Sequence, residues 1–534
     1  MSISSILFPF LGGLGLFLIG MKLLSDGLVA FAGSALRRAL MRFTGTPFKA
    51  FVSGTLATAM VQSSSATTVT TIGFVSAGLL TFSQSIGFII GTSLGNTATG
   101  WLVAGLGLRV SLGFYTLPLI GIGALMKLLA KGRVGEIGLS IAGFGIIFLG
   151  LDTIQQGMQG FSQEYSLSGL PSGNLWAYLI TMLIGLVMTV IMQSSTAAIA
   201  TTLAALHTGA INFDQAAALV VGAAIGTTAT SVLVAIGATT AAKRTALANV
   251  LFNLISGIIA IVLLPALIAF VDMLNERFGL APGALSLAAF HTIFISLGVV
   301  LFMPFTNAFA RLLTKMIPEK GDTLISHLDD SSLSVPAVAV EAAQRSLEKI
   351  AQRQFEIYDN ALTTGHTGQL HKDLQELHMA LDHVYDFLTR LQIPAKENLL
   401  QEQRLAQLHT VDHMFRLCSR LEYLEKAPID FSSETYQWAV SHNRFILDTA
   451  RAAEQLARPD NWLEQIGEQA DTLDKMAQQF RNQVLQNQSS VESASALRTT
   501  DAFRWLARSG HHVWRICFYL KQAKLTEHPD TSAS

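Results

Sequence analysis

Two short stretches decide the reading: Gln62-Ser63-Ser64-Ser65-Ala66 and Gln193-Ser194-Ser195-Thr196-Ala197, each set inside an otherwise apolar run. Sliding the chain along itself by 131 residues pairs Gly54–Ala104 with Gly185–Ala235 without a gap. Thr70-Thr71 then answers Thr201-Thr202, and Gly78, Phe82 and Gln84 answer Gly209, Phe213 and Gln215. Gly91, Gly95 and Thr97-Ala98-Thr99 answer Gly222, Gly226 and Thr228-Ala229-Thr230. Even the first helix recurs, one residue out of register, as Gly15, Gly20 and Gly27 against Gly145, Gly150 and Gly157. A match of this length marks an internal duplication.

Outward from the motifs, the composition splits in two. Of 534 residues, 50% are hydrophobic, 14% are charged and 43 are glycine, which is too apolar for an ordinary soluble enzyme. Residues 1–319 hold 14 basic and 8 acidic residues, and residues 320–534 hold 22 and 29. A membrane part is therefore followed by an acidic soluble part. Stretches able to cross roughly 30 Å of hydrocarbon fall at 6–28, 85–107, 110–130, 135–154, 212–236, 246–271 and 285–306, so seven crossings are expected. The run from Ile6 to Leu24 lacks a basic leader and a cleavage site, and reads as a retained helix rather than a signal peptide.

The stretches 48–80 and 175–208 are too long for one helix and are broken near the middle by the motifs. An arm from Phe48 to Val61 reaches roughly 21 Å at 1.5 Å per residue, short of a bilayer. Each stretch therefore reads as a re-entrant hairpin, and three crossings between equivalent points invert the second copy. The basic residues agree. Arg37, Arg38, Arg42, Lys49, Lys127, Lys131, Arg133, Lys243, Arg244, Arg311 and Lys315 then share one side, with Arg109 and Arg277 on the other. The positive-inside rule makes the first side cytoplasmic, with residue 320 onward. The expected domains are repeat 1 over 1–132, repeat 2 with an extra helix over 133–318, a linker over 319–334 and a helical domain over 335–527. Six amphipathic helices are expected there, at 335–363, 368–393, 396–426, 432–457, 460–486 and 496–525, with breaks at Gly365–Gly368, Pro394, Pro428 and Pro459. The fold class is thus an all-α polytopic membrane protein with two inverted repeats, followed by a cytosolic helical bundle.

Four consecutive hydrogen-bonding side chains in lipid would cost several kcal/mol for each unsatisfied group. A Ser alone reads as a small residue at a helix contact, bonded to its own backbone. Two copies at inverted positions read instead as a transport site between repeats, where broken helices offer N–H groups to an anion and carbonyls to a cation. Gln62, Ser63, Ser64, Ser65, Gln193, Ser194, Ser195 and Thr196 are the substrate-binding candidates. Between residues 50 and 110 and between 175 and 240, the ionisable side chains of Lys, Arg, His, Asp or Glu are Arg109, His207 and Asp214, all at segment ends. With no fixed cation at the centre, an anion would face a large desolvation penalty unless a cation accompanied it.

With these residues in view, residues 1 to about 315 resemble the sodium/phosphate cotransporter family, whose hallmark is two inverted Gln-Ser-Ser-Ser motifs. The resemblance implies phosphate as substrate, sodium as the coupling ion, no other cofactor, and the motif residues above as ligands. Thr67 and Thr68 have no polar match in the second copy, where Ala198 and Ile199 stand. Cation-binding candidates are Thr67, Thr68, Asn96, Thr97, Thr227, Thr228, Asn249 and Asn253. Asn96-Thr97 and Thr227-Thr228 sit in Gly-rich stretches, 91–100 and 222–231, where a helix could open; Asn249 and Asn253 share a helix face. His291 reads as a satisfied buried histidine, and Lys22 with Asp26 as an i, i+4 pair.

The tail resembles PhoU-like helical domains of phosphate-uptake regulators, on helix pattern more than motif. His378, Asp382, His383 and Asp386 could ligate a metal but read more simply as a solvated helix face, and no transition-metal site is expected. Cys418 and Cys517 show no metal-type spacing. An acidic tail without a basic stripe argues against nucleic acid, and no nucleophile with a base or P-loop points to an enzyme. Expected partners are inorganic phosphate, sodium, membrane lipid and a second copy in a homodimer, in a bacterial inner membrane. Export of excess cytosolic phosphate, another tetrahedral oxyanion, and a membrane-anchored signalling protein acting through its tail are the other readings.

Overall fold

A computed structural model describes residues 3–42, 45–108, 113–164, 173–236, 238–278, 283–318, 324–364, 369–451, 460–486 and 493–524. Arg109, the break at Gly365–Gly368 and Pro459 lie outside the described residues. The chain divides into two compact units, Met1–Lys320 and Gly321–Ser534, and the regular elements of both are helices.

Unit 1 begins with α1 (Ile3–Arg42), α2 (Pro47–Val61), α3 (Ser64–Ser76), α4 (Phe82–Leu102, continued by a π-helical turn, Val103–Leu108), α5 (Gly113–Leu129) and α6 (Arg133–Glu164). It continues with α7 (Leu175–Met192), α8 (Ser195–His207), α9 (Phe213–Gly226), α10 (Thr228–Ala235), α11 (Thr240–Val262), α12 (Leu264–Phe278), α13 (Ala284–Phe302) and α14 (Thr306–Met316).

Close approaches at glycine fix the helix directions. A Cβ built on Gly13, Gly20 or Gly27 of α1 would lie 2.8, 2.8 and 2.7 Å from the carbonyl oxygens of Gly150, Gly143 and Glu136 of α6. As one number climbs the other falls, so α1 and α6 are antiparallel, backbone against backbone across small residues. These are the first helices of the two copies, so the copies are inverted. In contrast, a Cβ on Gly87, Gly91 or Gly95 of α4 would lie 2.1, 2.1 and 2.4 Å from the carbonyl oxygens of Pro47, Phe51 and Thr55 of α2. Here the numbers climb together, so α2 and α4 are parallel and α3, between them in the chain, runs back. Gly222 and Gly226 of α9 meet the Met182 and Leu186 carbonyls of α7 in the same way. Each motif therefore sits at the tip of a helical hairpin.

Six helices are long and apolar enough to cross a membrane: Ile6–Phe31, Arg133–Gly160, Leu175–Met192, Phe213–Ala235, Thr240–Val262 and Ala284–Met316. Two expected crossings are absent from this set. α4 carries Thr92, Asn96, Thr97 and Thr99, all buried, and the apolar part of α5 is shorter, Tyr115–Leu129. α7, expected as a short arm, has 18 residues and is long enough by length and composition. The run 246–271 is not one helix either: Pro265, which lacks an N–H and crowds the carbonyl four residues earlier, coincides with the break at Leu263.

Unit 2 holds α15 (Pro336–Thr364), α16 (Leu370–Arg390), α17 (Asn398–Lys426), α18 (Glu434–Arg451), α19 (Trp462–Gln486) and α20 (Ser493–Ala523). α15, α16 and α17 pack mutually, as do α18, α19 and α20, and the α17–α20 contact joins the two triplets. Leu347, Leu377, Leu417, Ile446, Ile466 and Leu506 form one core. Tyr358 Oη donates to Asn443 Oδ1 across it at 2.7 Å. A 3-10 turn, Asp330–Ser334, precedes α15 within the expected linker.

Candidate functional site

At the hairpin tips the backbone of Gln62 (φ 57, ψ 26) and Gln193 (φ 52, ψ 23) is left-handed. Among the described residues these are the non-glycine positions with positive φ. The conformation ends a helix but costs a side-chain-bearing residue of order 1 kcal/mol. Glutamine offsets that by capping its own helix: Gln62 Nε2 donates to Ala59 O, and Gln193 Nε2 to Val190 O at 2.7 Å, each satisfying a carbonyl the helix end leaves open. The next residue starts a new helix. Ser63 and Ser194 are extended, and their Oγ atoms accept from the amides of Ala66 (3.3 Å) and Ala197 (3.2 Å). The first half of each motif thus builds the tip, and the second half, Ser64-Ser65 or Ser195-Thr196, occupies the first turn of the returning helix, with backbone amides that have no carbonyl one turn back to bond.

Against the first tip lies a small cavity of about 20 Å³. Ser64, Ser65, Thr68 and Val69 of α3 form one wall, and Thr92, Ser93 and Asn96 of α4 another. Ala224 of α9, Thr227 at the α9–α10 break, and Thr230 and Ser231 of α10 face them, with Asn249 and Asn253 of α11 and His291 and Ile295 of α13 completing the lining. Ser93 with Ala224, and Asn96 with Thr227, are equivalent positions of the two copies, so both repeats contribute. Asn249 Nδ2 donates to Ser231 Oγ (2.7 Å) and Asn253 Nδ2 to Asn249 Oδ1 (2.9 Å). The second motif reaches the cavity indirectly, through Asn96 Nδ2 donating to Ser195 Oγ at 3.3 Å. Gln62 is tied to α4 where Thr99 Oγ1 donates to its Oε1 at 2.8 Å.

The chemistry of the walls is uneven. Thr92, Ser93 and Thr227 donate back to carbonyls of their own helices, so they present lone pairs to the cavity. Asn96 Oδ1 is buried without a hydrogen-bond partner. One side therefore offers hard oxygen acceptors, which suit a sodium-like cation. The other offers the α3 N-terminus, with its open amides and the Ser64 and Ser65 hydroxyls, which suit an anion. None of the lining residues carries a fixed charge.

Of the sequence candidates, the cavity brings together Ser64, Ser65, Thr68, Asn96, Thr227, Asn249 and Asn253. Gln62, Ser63, Gln193, Ser194, Ser195 and Thr196 do not line it. Nor do Thr67, Thr97 and Thr228, whose hydroxyls donate to Ser63 O, Leu94 O and Ile225 O. Of the helix openings expected in both Gly-rich stretches, the second is limited to the junction at Thr227, which keeps helical dihedrals (φ −60, ψ −24) within the span Phe213–Ala235, while α4 runs unbroken through Asn96. Sequence reasoning misses Thr92, Ser93, Thr230 and Ser231; the signal for them is a run of small hydroxyl residues on the glycine-packed helices. His291 has its Nδ1 buried without a partner, so it is not the satisfied histidine expected. Lys22 and Asp26 pair at 3.0 Å. In unit 2, Asp386 pairs with Arg390 (2.9 Å) and Asp382 and His383 are exposed; among the described residues no cluster of three or more His, Cys, Asp or Glu could hold a metal ion.

Comparison with protein families matches the Na+/Pi-cotransporter family over residues 16–156 and 175–317. YqeW of Bacillus subtilis strain 168, an uncharacterized protein, is 36% identical over 311 residues, which cover 57% of this chain and 96% of YqeW. The "Putative inorganic phosphate export protein YjbB" of Escherichia coli K12 is 28% identical over 406 residues, 74% of this chain and 72% of that protein. Its Salmonella typhimurium namesake is 28% identical over 345 residues, 64% of this chain and 62% of that protein. The Escherichia coli match is too long to be confined to unit 1. No solved structure matches.

Proposed function

Because this chain belongs to the Na+/Pi-cotransporter family, a family of membrane phosphate transporters, we propose that it is a secondary transporter coupling inorganic phosphate to sodium in a bacterial inner membrane. The observation that carries this reading is the cavity between the copies, where a helix N-terminus with two serines faces a wall of back-bonded hydroxyls and an unpartnered amide oxygen. Phosphate would take donors from the first turn of α3 and from Ser64 and Ser65. Sodium would take oxygens from Asn96, Thr92, Thr227 and the Asn249–Asn253 pair. A cation beside the anion lowers the penalty of placing either in a site without fixed charge. The helical unit 2 would lie in the cytoplasm and regulate the carrier. That YjbB is named for phosphate export supports outward movement of phosphate when the combined gradients favour it; a carrier of this kind has no intrinsic direction.

The test is labelled-phosphate flux in proteoliposomes under an imposed sodium or an equal potassium gradient, for wild type and for Ser64→Ala/Ser195→Ala. Sodium-dependent flux that the double variant loses is the expected result. Equal flux in potassium would remove sodium from the reading, and full flux in the variant would remove the serines.

A further inference from the structure

Unit 2 is acidic as a whole, 29 acidic against 22 basic residues from 320 onward, yet α17 and α20 place arginines opposite one another. Arg416 and Arg420 lie one turn apart on α17, and Arg504 and Arg508 one turn apart on α20, all lining an open groove of about 440 Å³. More than eighty residues separate the two pairs in sequence, which is why no basic stripe is visible there. Among the described residues, Arg416 and Arg504 pair with carboxylates of their own helices, Asp412 (2.8 Å) and Asp501 (2.7 Å). Arg420 and Arg508 have no carboxylate partner among the described residues, and Arg420 is only partly exposed. Burial and then the neighbouring Arg508 and Arg504 hold its guanidinium below the usual range, the signature of like charges gathered at some cost. His512, 9% exposed, lines the same groove. Ser419 and Tyr423 add neutral hydroxyls, and Asp501, paired with Arg504, is the carboxylate in the lining.

We propose that this groove is a binding site for a small polyanion carrying two or more phosphoryl groups. Arg420 and Arg508, which have no carboxylate partner among the described residues, and the paired Arg416 and Arg504 beside them face one concavity and match tetrahedral anions with bidentate geometry. Arg420 and His512 are recessed, within reach of a small ligand but not of a flat lipid surface or a rigid duplex. The volume falls in the range of small-molecule sites. The site is separate from the phosphate cavity of unit 1 and does not depend on the transport reading. An occupant there would give the protein a second, regulatory contact with phosphorylated compounds.

The test is calorimetric titration of the full-length protein in lipid nanodiscs with inorganic tripolyphosphate, in a background of orthophosphate high enough to fill the transport site. Saturable binding is expected, weakened by added salt and reduced about tenfold for each guanidinium removed in Arg420→Gln and Arg508→Gln. Arg508 is exposed on α20, so its variant keeps the fold. Without ligand it should melt no lower than wild type, because a repulsion has been removed, and should retain basal phosphate flux. Unchanged affinity in both variants, equal binding of citrate or sulfate, or a response only to anionic vesicles or DNA would each overturn the proposal.

Discussion

Replacing Gly91 or Gly222 by alanine probes whether the backbone-to-backbone seams hold the hairpin tips in place. The added Cβ would lie 2.1 Å from Phe51 O in the first case and 1.8 Å from Met182 O in the second. A close carbon–oxygen contact is about 3.3 Å, so α2 and α4 must part by roughly 1.2 Å, and α7 and α9 by roughly 1.5 Å. Backbone cannot swing aside as a flexible side chain would, so the displacement passes to the tips. In the first copy it acts on the Thr99–Gln62 hydrogen bond and on Thr92 and Ser93, the next two residues of α4. A displacement near 1 Å at a binding site can lower rate about a hundredfold, and overpacking of this kind costs about 1–3 kcal/mol of stability. The assay is phosphate flux in proteoliposomes together with the melting temperature, with Gly12→Ala as control, since a Cβ at Gly12 meets nothing within 4 Å. Wild-type flux and stability in Gly91→Ala and Gly222→Ala, or damage in Gly12→Ala equal to theirs, would show that the seams do not position the tips.

Asn253→Ala should raise the sodium concentration for half-maximal flux about tenfold, because it removes one oxygen ligand and frees Asn249 Oδ1 from its 2.9 Å bond; flux with an unchanged sodium dependence would count against the cation wall. A cysteine at Ser65, partly exposed, should react with a membrane-impermeant thiol reagent faster than one at Thr196, which is buried, and equal rates would show that the two tips do not differ. In unit 2, burial and the neighbouring His413 and Arg420 hold His512 at about 3; burial, then Arg515 and Arg416 against the opposing Asp412, holds His413 at about 4. Both are neutral in the fold and bonded Nδ1 to Nδ1 at 3.1 Å. Folded values below the ordinary 6.5 mean that their contribution is complete above that pH and is lost as pH falls from about 6.5 towards 4, so melting of unit 2 should drop over that window in wild type and less in His413→Gln/His512→Gln. A variant with the wild-type pH profile would remove the pair as the cause.

The first hairpin is legible in the sequence because two signals coincide, polar residues where lipid demands none and an arm too short to cross; the second rests on its polar motif and the repeat, since α7 is long enough to cross. The self-alignment carries the inversion, and the antiparallel α1–α6 seam shows it directly through Gly13, Gly20 and Gly27. The roles within the motif are not legible. Gln62 and Ser63 read as ligands by residue type, but a hairpin tip needs a left-handed residue and an N-cap, and those local needs take up their polar atoms. α4 reads as a crossing that opens at Asn96; its helix instead stays closed, its Thr92, Ser93 and Thr97 hydroxyls bonded back to carbonyls of the same helix. Asn249 and Asn253 are visible from i, i+4 spacing alone. The arginine groove of unit 2 is invisible in sequence because tertiary packing brings together pairs, from different helices, that lie more than eighty residues apart.

What self-alignment cannot show is how unequal the two copies become once folded. Ser195 and Thr196 are buried with the apolar face of α8, behind Asn96, while Ser64 and Ser65 border the cavity and stay partly open. The imbalance follows from substitution at matched positions. Ala197–Ala200 pack α8 fully into the core, whereas α3 keeps Thr67 and Thr68 where Ala198 and Ile199 stand, and the Thr67 and Thr70 hydroxyls bond along the helix rather than to neighbours. The first tip is therefore held by fewer apolar contacts and more polar ones, which water or a ligand can replace at little cost. The second tip is packed against α6 and α9 and is joined to the cavity wall through the Asn96–Ser195 bond, so a change at Asn96 reaches Ser195 directly.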